Sequence, residues 1–242
     1  MPPQKNILIL GVKDEFGDQI VDGLSAEDNS IILCGGDDQH QLSLSNRYPN
    51  CVKAYEGGIG LNDSHQPIQS MIEESGSLDA FIYLVDTFPS FQFLHQSQHQ
   101  ISQTLNETFI TPICILQSIF PYLRKSANSK VMFVDAGMLA EKNNDSPIIQ
   151  GGSYGLWGFC EGIKSEFRGV GIDVQSVSYP ALYYSKEKRE TTHSGSKLYE
   201  HYKKVITRIL DFIRSSGRGQ ISQIPQISNS SANAGSNVSV KA

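Results

Sequence analysis

The chain has 242 residues, a net charge of −5 and 39% hydrophobic residues, which suits one large α/β domain able to bury its core without disulfides or metal. The acidic balance argues against a nucleic-acid partner and offers no basic patch to a membrane surface. No apolar run approaches the ~18 residues of a transmembrane helix, and the four scattered cysteines, Cys34, Cys51, Cys114 and Cys160, lack CxxC spacing and read as free buried thiols of a reducing compartment.

The opening Met1-Pro2-Pro3-Gln4 lacks a signal-peptide pattern, so a cytoplasmic chain is expected. Asn-x-Ser/Thr triplets, among them those at Asn106, Asn229 and Asn237, then carry no meaning. The first strand is Ile7–Leu10. It meets Gly11, with Gly17 six residues on, and Ile20, Val21 and Leu24 follow at helical spacing. Strand, tight turn and helix in that order form the first unit of a dinucleotide-binding fold. Such a loop needs small residues so that backbone N–H groups can approach a pyrophosphate. Glu15 stands where the middle small residue belongs. A carboxylate ~4 Å from a phosphate charge is repelled by about 4 kcal/mol at an effective dielectric near 20, or roughly a thousandfold in affinity.

Ser30–Cys34 is the second strand, ending in Gly35-Gly36-Asp37, and Val52–Tyr55 a weak third. Gly57-Gly58-Ile59-Gly60 looks like a phosphate loop, but no Lys-Ser/Thr follows it, so a plain connection is expected. Residues 64–74 pattern as a helix, with Ile68, Met71 and Ile72 on one face. Leu78–Val85 is a strong strand. His95 and His99 are four apart, a spacing that suits a zinc pair on a helix, yet no third ligand is near and a solvated face is expected.

Residues 98–125 read as one long helix, bent at Pro112. Ile113, Leu116, Phe120 and Leu123 form one stripe, Ile115 and Ile119 a second, so both sides need a partner. Lys130–Val134 is a strand; Asp135 after it could act as a general base, but a turn-capping carboxylate is the commoner explanation. Residues 154–167 pattern as a helix, Asp173–Val177 as a strand, 183–196 as a polar loop, Leu198–Ile213 as a helix and Gln220–Ile224 as a last strand. We read 1–224 as a single domain and 225–242 as a polar tail. Apolar strands alternating with helices give an α/β class: a Rossmann-like, doubly wound parallel sheet covered on both faces.

Order and spacing resemble the short-chain dehydrogenase/reductase (SDR) family. The anchors are Gly76-x-Leu78-Asp79, Phe120-Pro121-Tyr122-Leu123, Gly158-Phe159 with Glu166-Phe167, Gly171-Ile172-Asp173-Val174 and Gly219-Gln220-Ile221. The resemblance implies the SDR fold, while the family's functional residues are replaced. Its glycine loop becomes Leu10, Gly11, Glu15 and Gly17. Tyr83-Leu84-Val85-Asp86 stands for its Asn-Asn-Ala-Gly, and Asp37 falls two positions late for its acidic residue. The active-site lysine falls on Ser153, the tyrosine on Ile149, the serine on Ala136 and the asparagine on Thr108, with Asn106 two residues early. Pro180-Ala181 replaces Pro-Gly. In the family the tyrosine exchanges a proton with the substrate oxygen, the lysine lowers its pKa, and the serine holds that oxygen. Isoleucine, serine and alanine supply neither a titratable acid nor a cation near neutral pH.

The resemblance therefore implies a catalytically silent member that binds no cofactor. It would pair with an active, NAD-binding paralogue through helices 98–125 and 154–167, as a structural or pocket-completing subunit of a hetero-oligomeric dehydrogenase of the 3-hydroxyacyl-CoA type. Two other readings stay open. One is an active oxidoreductase with a relocated site at Tyr154, or at Tyr183 and Tyr184 with Lys186 and Lys188. The other is a ligand sensor that reuses the cleft.

Overall fold

The computed structural model describes residues 4–55, 66–85, 93–135, 147–178 and 193–215. The elements run β1 (Asn6–Leu10), α1 (Glu15–Ser25), β2 (Ser30–Cys34), α2 (Asp38–Arg47), β3 (Val52–Tyr55), α3 (Gln66–Ser75) and β4 (Ala80–Leu84). A short 3-10 turn (Phe93–His95) leads into α4 (Gln98–Leu105), a π-helical segment (Asn106–Ile110) and α5 (Thr111–Leu123). Then come β5 (Ser129–Asp135), α6 (Pro147–Gly169), β6 (Ile172–Ser178) and α7 (His193–Arg214).

The six strands form one sheet in the order β3-β2-β1-β4-β5-β6, every pair parallel. It is a Rossmann-like α/β fold. Both faces are covered, so consecutive residues of the central strands β1, β4 and β5 are nearly all buried but go to different cores. Ile7 and Ile9 join Ile31, Leu33, Ile82 and Val134 in the core beneath α1 and α7. Leu8 and Leu10 join Ile32, Phe81, Phe133 and Val131 in the core beneath α3, α5 and α6. The order reverses between β1 and β4. In such sheets the ligand crevice opens outside the carboxyl ends of the strands at that switch point.

The helices follow their sequence periods with four departures. α2 is a helix that the sequence pattern did not announce, because it is polar throughout and buries only Gln41 and Leu44. The long helix is not one helix. Its backbone widens over Asn106–Ile110, where Thr111 N–H bonds Asn106 O five residues back. Pro112 sits at the second position of α5. Proline has no N–H for the normal bond to residue 108 and its ring crowds that turn, so the ladder is disturbed just upstream of it rather than at it. α6 begins at Pro147, seven residues before the expected start at Tyr154. Glycines there lower helix propensity, and tertiary packing outweighs it. α7 begins at His193 rather than Leu198. Tyr202, Val205, Ile206, Ile209 and Ile213, which its spacing turns inward, are buried, and so are Leu210 and Phe212.

Gln220–Ile224, the 225–242 tail, Gly57–Gly60, Asp86, Ala136, Pro180-Ala181, Tyr183, Tyr184, Lys186 and Lys188 lie outside the described residues. Among the described residues no helix is long and apolar enough to cross a membrane. All four cysteines are free, Cys34 and Cys160 buried, Cys51 and Cys114 only partly so.

Burial pushes the Cys160 thiol up to about 12, and it raises Cys34 as well. The unfolded chain releases these protons near pH ~8.5 and the folded chain keeps them. The unfolded state then binds fewer protons, so stability falls as pH rises from about 9. We expect the urea midpoint to drop over that range and Cys160→Ala to flatten the drop.

Candidate functional site

The switch-point crevice is bounded by the β1–α1 turn, the β2–α2 turn, the end of β4 and the amino-terminal half of α6. Gly11 has φ +85, and a Cβ there would lie 2.3 Å from Leu84 O. Its N–H donates to Cys34 O at 3.1 Å. This glycine is required by the crossing of the turn over β4, because an L side chain would be both strained and overlapping. At Gly17 a Cβ would come within 2.9 Å of Val12 Cγ1. Both outer glycines of the loop are thus explained by packing within the chain.

The first N–H groups of a helix are orphan donors, and this is why phosphates settle there. In α1 they are taken. Asp14 is the N-cap, and its Oδ1 accepts from Phe16 N–H at 3.1 Å and Gly17 N–H at 3.2 Å. Glu15 and Asp18 add two more carboxylates to the first turn, which suits the positive end of the helix dipole and opposes an incoming anion. Glu15, singled out in the sequence, is exposed at the first helical position. The carboxylate on the donors belongs to Asp14. A sequence signal for it exists: Asp immediately before an apolar-periodic run is an N-cap signature.

The β2–α2 turn is tied onto the same loop. Asp37 N–H and Gln41 Nε2 both donate to Val12 O at 3.3 Å. Gly36 allows this approach, since a Cβ there would lie 2.1 Å from Val12 O. His40 Nε2 meets Asp18 Oδ1 at 2.6 Å, bridging α2 to α1. Asp37 caps α2, its Oδ1 accepting from His40 N–H at 2.7 Å.

The other half of the crevice is built by α6 and the π segment. Ile149 and Ser153 are four residues apart, hence one above the other on one face of α6. They are 8% and 1% exposed, and Ser153 Oγ is buried without a hydrogen-bond partner. Beside them the helix backbone presses on the π segment. A Cβ at Gly152 would lie 2.1 Å from Thr108 Oγ1, and one at Gly155 would lie 3.3 Å from the Phe109 ring. Thr108 is fully buried, and its hydroxyl donates to Thr104 O at 2.7 Å. Its one donor proton is thus committed within its own helix. Asn106 is partly buried at the start of the π segment. Tyr83, at the end of β4, is 7% exposed and donates to Glu107 O at 3.4 Å. Burial raises its pKa, so it stays a neutral phenol at physiological pH. Asp135 closes β5, 6% exposed and level with Ser178 of β6.

Several sequence candidates fall apart in space. His95 lies in the 3-10 turn and His99 in α4, both exposed, so they do not share a helix face. Among the described residues no group of three His, Cys, Asp or Glu side chains could hold a metal ion. Tyr154 is 54% exposed, on a side of α6 away from the buried Ser153.

No protein-family model and no curated protein sequence matches the chain. Its likeness is to solved structures. A metagenomic short-chain oxidoreductase in complex with NADP superposes with a TM-score of 0.73 at 10% identity, covering 91% of this chain and 95% of the other. An NADPH-bound short-chain oxidoreductase from Pseudomonas aeruginosa PAO1, described as containing an atypical catalytic centre, gives 0.70 at 14% identity over 87% and 91%. A putative betaketoacyl-ACP reductase gives 0.70 at 10% identity over 86% and 90%. At these identities the likeness is one of fold: the chain has the short-chain dehydrogenase/reductase architecture.

The contact between α6 and the π segment makes a direct prediction. Gly152→Ala should cost about 2–4 kcal/mol of unfolding free energy through overpacking. Adding Thr108→Ala should return ~1 kcal/mol or more, because the two changes share one contact. Urea unfolding of the two single variants and the double variant measures the coupling.

Proposed function

We propose that the chain is a catalytically silent subunit with the short-chain dehydrogenase/reductase fold, paired with an active relative in a hetero-oligomeric NAD-dependent dehydrogenase. The observation that carries this reading is the pair Ile149 and Ser153. Where the fold places a proton-transferring tyrosine and its lysine, α6 buries a hydrocarbon and a hydroxyl with no titratable group. Thr108, at the asparagine position, points its hydroxyl proton into its own helix. The dinucleotide itself fits poorly here, since the amide donors a pyrophosphate needs already serve Asp14. The chain thus contributes scaffold, and the nicotinamide chemistry belongs to the partner.

Pairing is supported by the outer side of α6. Trp157 is 44% exposed beside Tyr154, and a methyl group at Gly151, Gly158 or Gly162 would meet nothing within 4 Å. Large aromatic side chains next to bare backbone form a surface suited to close helix contact, and exposed aromatics of this size commonly mark interfaces. A 3-hydroxyacyl-CoA substrate is the family precedent for a two-subunit arrangement of this kind.

Titration of the isolated chain with NAD(H) and NADP(H) in a calorimeter should give no binding heat, and no hydride transfer should follow with any alcohol or hydroxyacyl substrate. Micromolar affinity would overturn the reading. Pull-down from the native host should recover a relative that retains the tyrosine–lysine pair. Trp157→Asp should release that relative while leaving the melting temperature within about 3 °C, as expected for an exposed position. Recovery of homodimers alone would count against the pairing.

A further inference from the structure

The amino end of the sheet, opposite the crevice, carries a cluster of charged side chains. Side chains alternate along a strand. Lys5, two residues before Ile7, and Lys130, two before Met132, therefore lie on the face that α1 and α7 cover. Asp173 of β6 is level with Lys130. The last turn of α7 closes over this row. Lys5 Nζ donates to Ile213 O, one of the final carbonyls that a helix leaves without a partner of its own. Lys130 Nζ lies 5.3 Å from the centre of the Phe212 ring. Arg214 donates to Glu27 and, at 3.2 Å, to Gly23 O. Phe212, Ile213 and Arg214 are thus all anchored through a cation.

The three cations differ in what neutralises them. Lys130 is 2% exposed and donates to Asp173 Oδ2 at 2.7 Å. Arg214 is paired with Glu27. Lys5 meets a backbone carbonyl, and among the described residues no carboxylate lies in ion-pair contact with it. The carboxylates that act on it from a distance, Asp79 and Glu27, are engaged elsewhere. Asp79 accepts from Asn6 N–H at 2.8 Å and from the Ser126 hydroxyl at 2.6 Å, and Glu27 accepts from Arg214. Burial, and after it the Lys130 ammonium, lower the pKa of the Lys5 amine. A lysine desolvated beside a second cation is an activated nucleophile. Lys5 is half-buried, so one side of it still meets solvent.

We propose that Lys5 is an acylation site: its neutral amine takes an acyl group from an acyl phosphate, and the loss of its charge loosens the last turn of α7. The cations of Lys5, Lys130 and Arg214 attract an anionic donor, and an acyl phosphate is small enough to reach a half-buried amine. The Nζ lone pair attacks the carbonyl carbon. The bond from that carbon to the phosphate oxygen breaks, inorganic phosphate leaves with the electron pair, and a proton passes from Nζ to water. Nothing is oxidised or reduced. The product is a neutral amide, which no longer places positive charge at the negative end of the α7 dipole.

The test uses the unmodified full chain, incubated with acetyl phosphate at neutral pH, with the acetylation of each lysine followed by peptide mass spectrometry. Lys5 should react at least about threefold faster than Lys125 and Lys204, which are exposed. A slower rate than that at Lys5 overturns the proposed site. The effect on α7 is read by amide hydrogen exchange over Ile209 to Ser215. Lys5→Gln stands in for the neutral amide and Lys5→Arg keeps the charge. Exchange should quicken at least about fivefold in Lys5→Gln and stay within about twofold of the unmodified chain in Lys5→Arg. A smaller change in Lys5→Gln, or an equal change in both variants, overturns the role given to the charge.

Discussion

Everything in this molecule hangs from β1. It bonds to β2 on one side and β4 on the other, and its residues Ile7 to Leu10 are fully buried. A strand with neighbours on both edges and helices on both faces has no alternative register, since a one-residue slip would send every side chain to the other core. The reversal of strand order beside β1 then opens a crevice at its carboxyl end. The fold makes that crevice whether or not a ligand uses it.

In this chain the described walls of the crevice are tied to neighbouring parts of the chain. From one side Asp14 satisfies the helix amides, and the β2–α2 turn leans on Val12 O through Asp37 and Gln41. From the other, Gly152 and Gly155 let α6 approach the π segment until Thr108 and Phe109 touch its backbone. The two closures share a logic. A site kept for a ligand leaves donors and space unassigned. Here two first-turn amides of α1 have an internal acceptor in Asp14, and the backbone of α6 at Gly152 and Gly155 has Thr108 and Phe109 against it. Ser153 Oγ, Gln41 Oε1, Thr111 Oγ1, Glu107 Oε2 and Ser178 Oγ are among the buried polar atoms of the described residues that have no hydrogen-bond partner.

The outer side of α6 is the counterpart. Its buried stripe, Leu156, Cys160 and Phe167 with Phe159 and Ile163 at the margin, meets the core. Its other side exposes Tyr154 and Trp157 among glycines. The same helix thus closes a crevice with one face and offers an aromatic surface with the other.

The sequence by itself determined the strand cores, their order along the chain and the helix faces, because burial on both sides imposes runs such as Ile7–Leu10 and Phe81–Leu84 that no other class shares. It also gave the types of Ile149 and Ser153, side chains that do not titrate near neutral pH wherever they lie. It did not reveal α2, whose polar residues carry no period, nor the start of α6, where glycine lowers propensity for the sake of a contact 44 residues away in the chain, between Thr108 and Gly152. It pointed to Glu15 and passed over Asp14, which holds two of the amides. Which of two adjacent carboxylates turns onto a helix end depends on the backbone angles at the cap, β/extended at Asp14. Those angles are set by the crossing of the turn over β4, a contact that exists only once the sheet has formed.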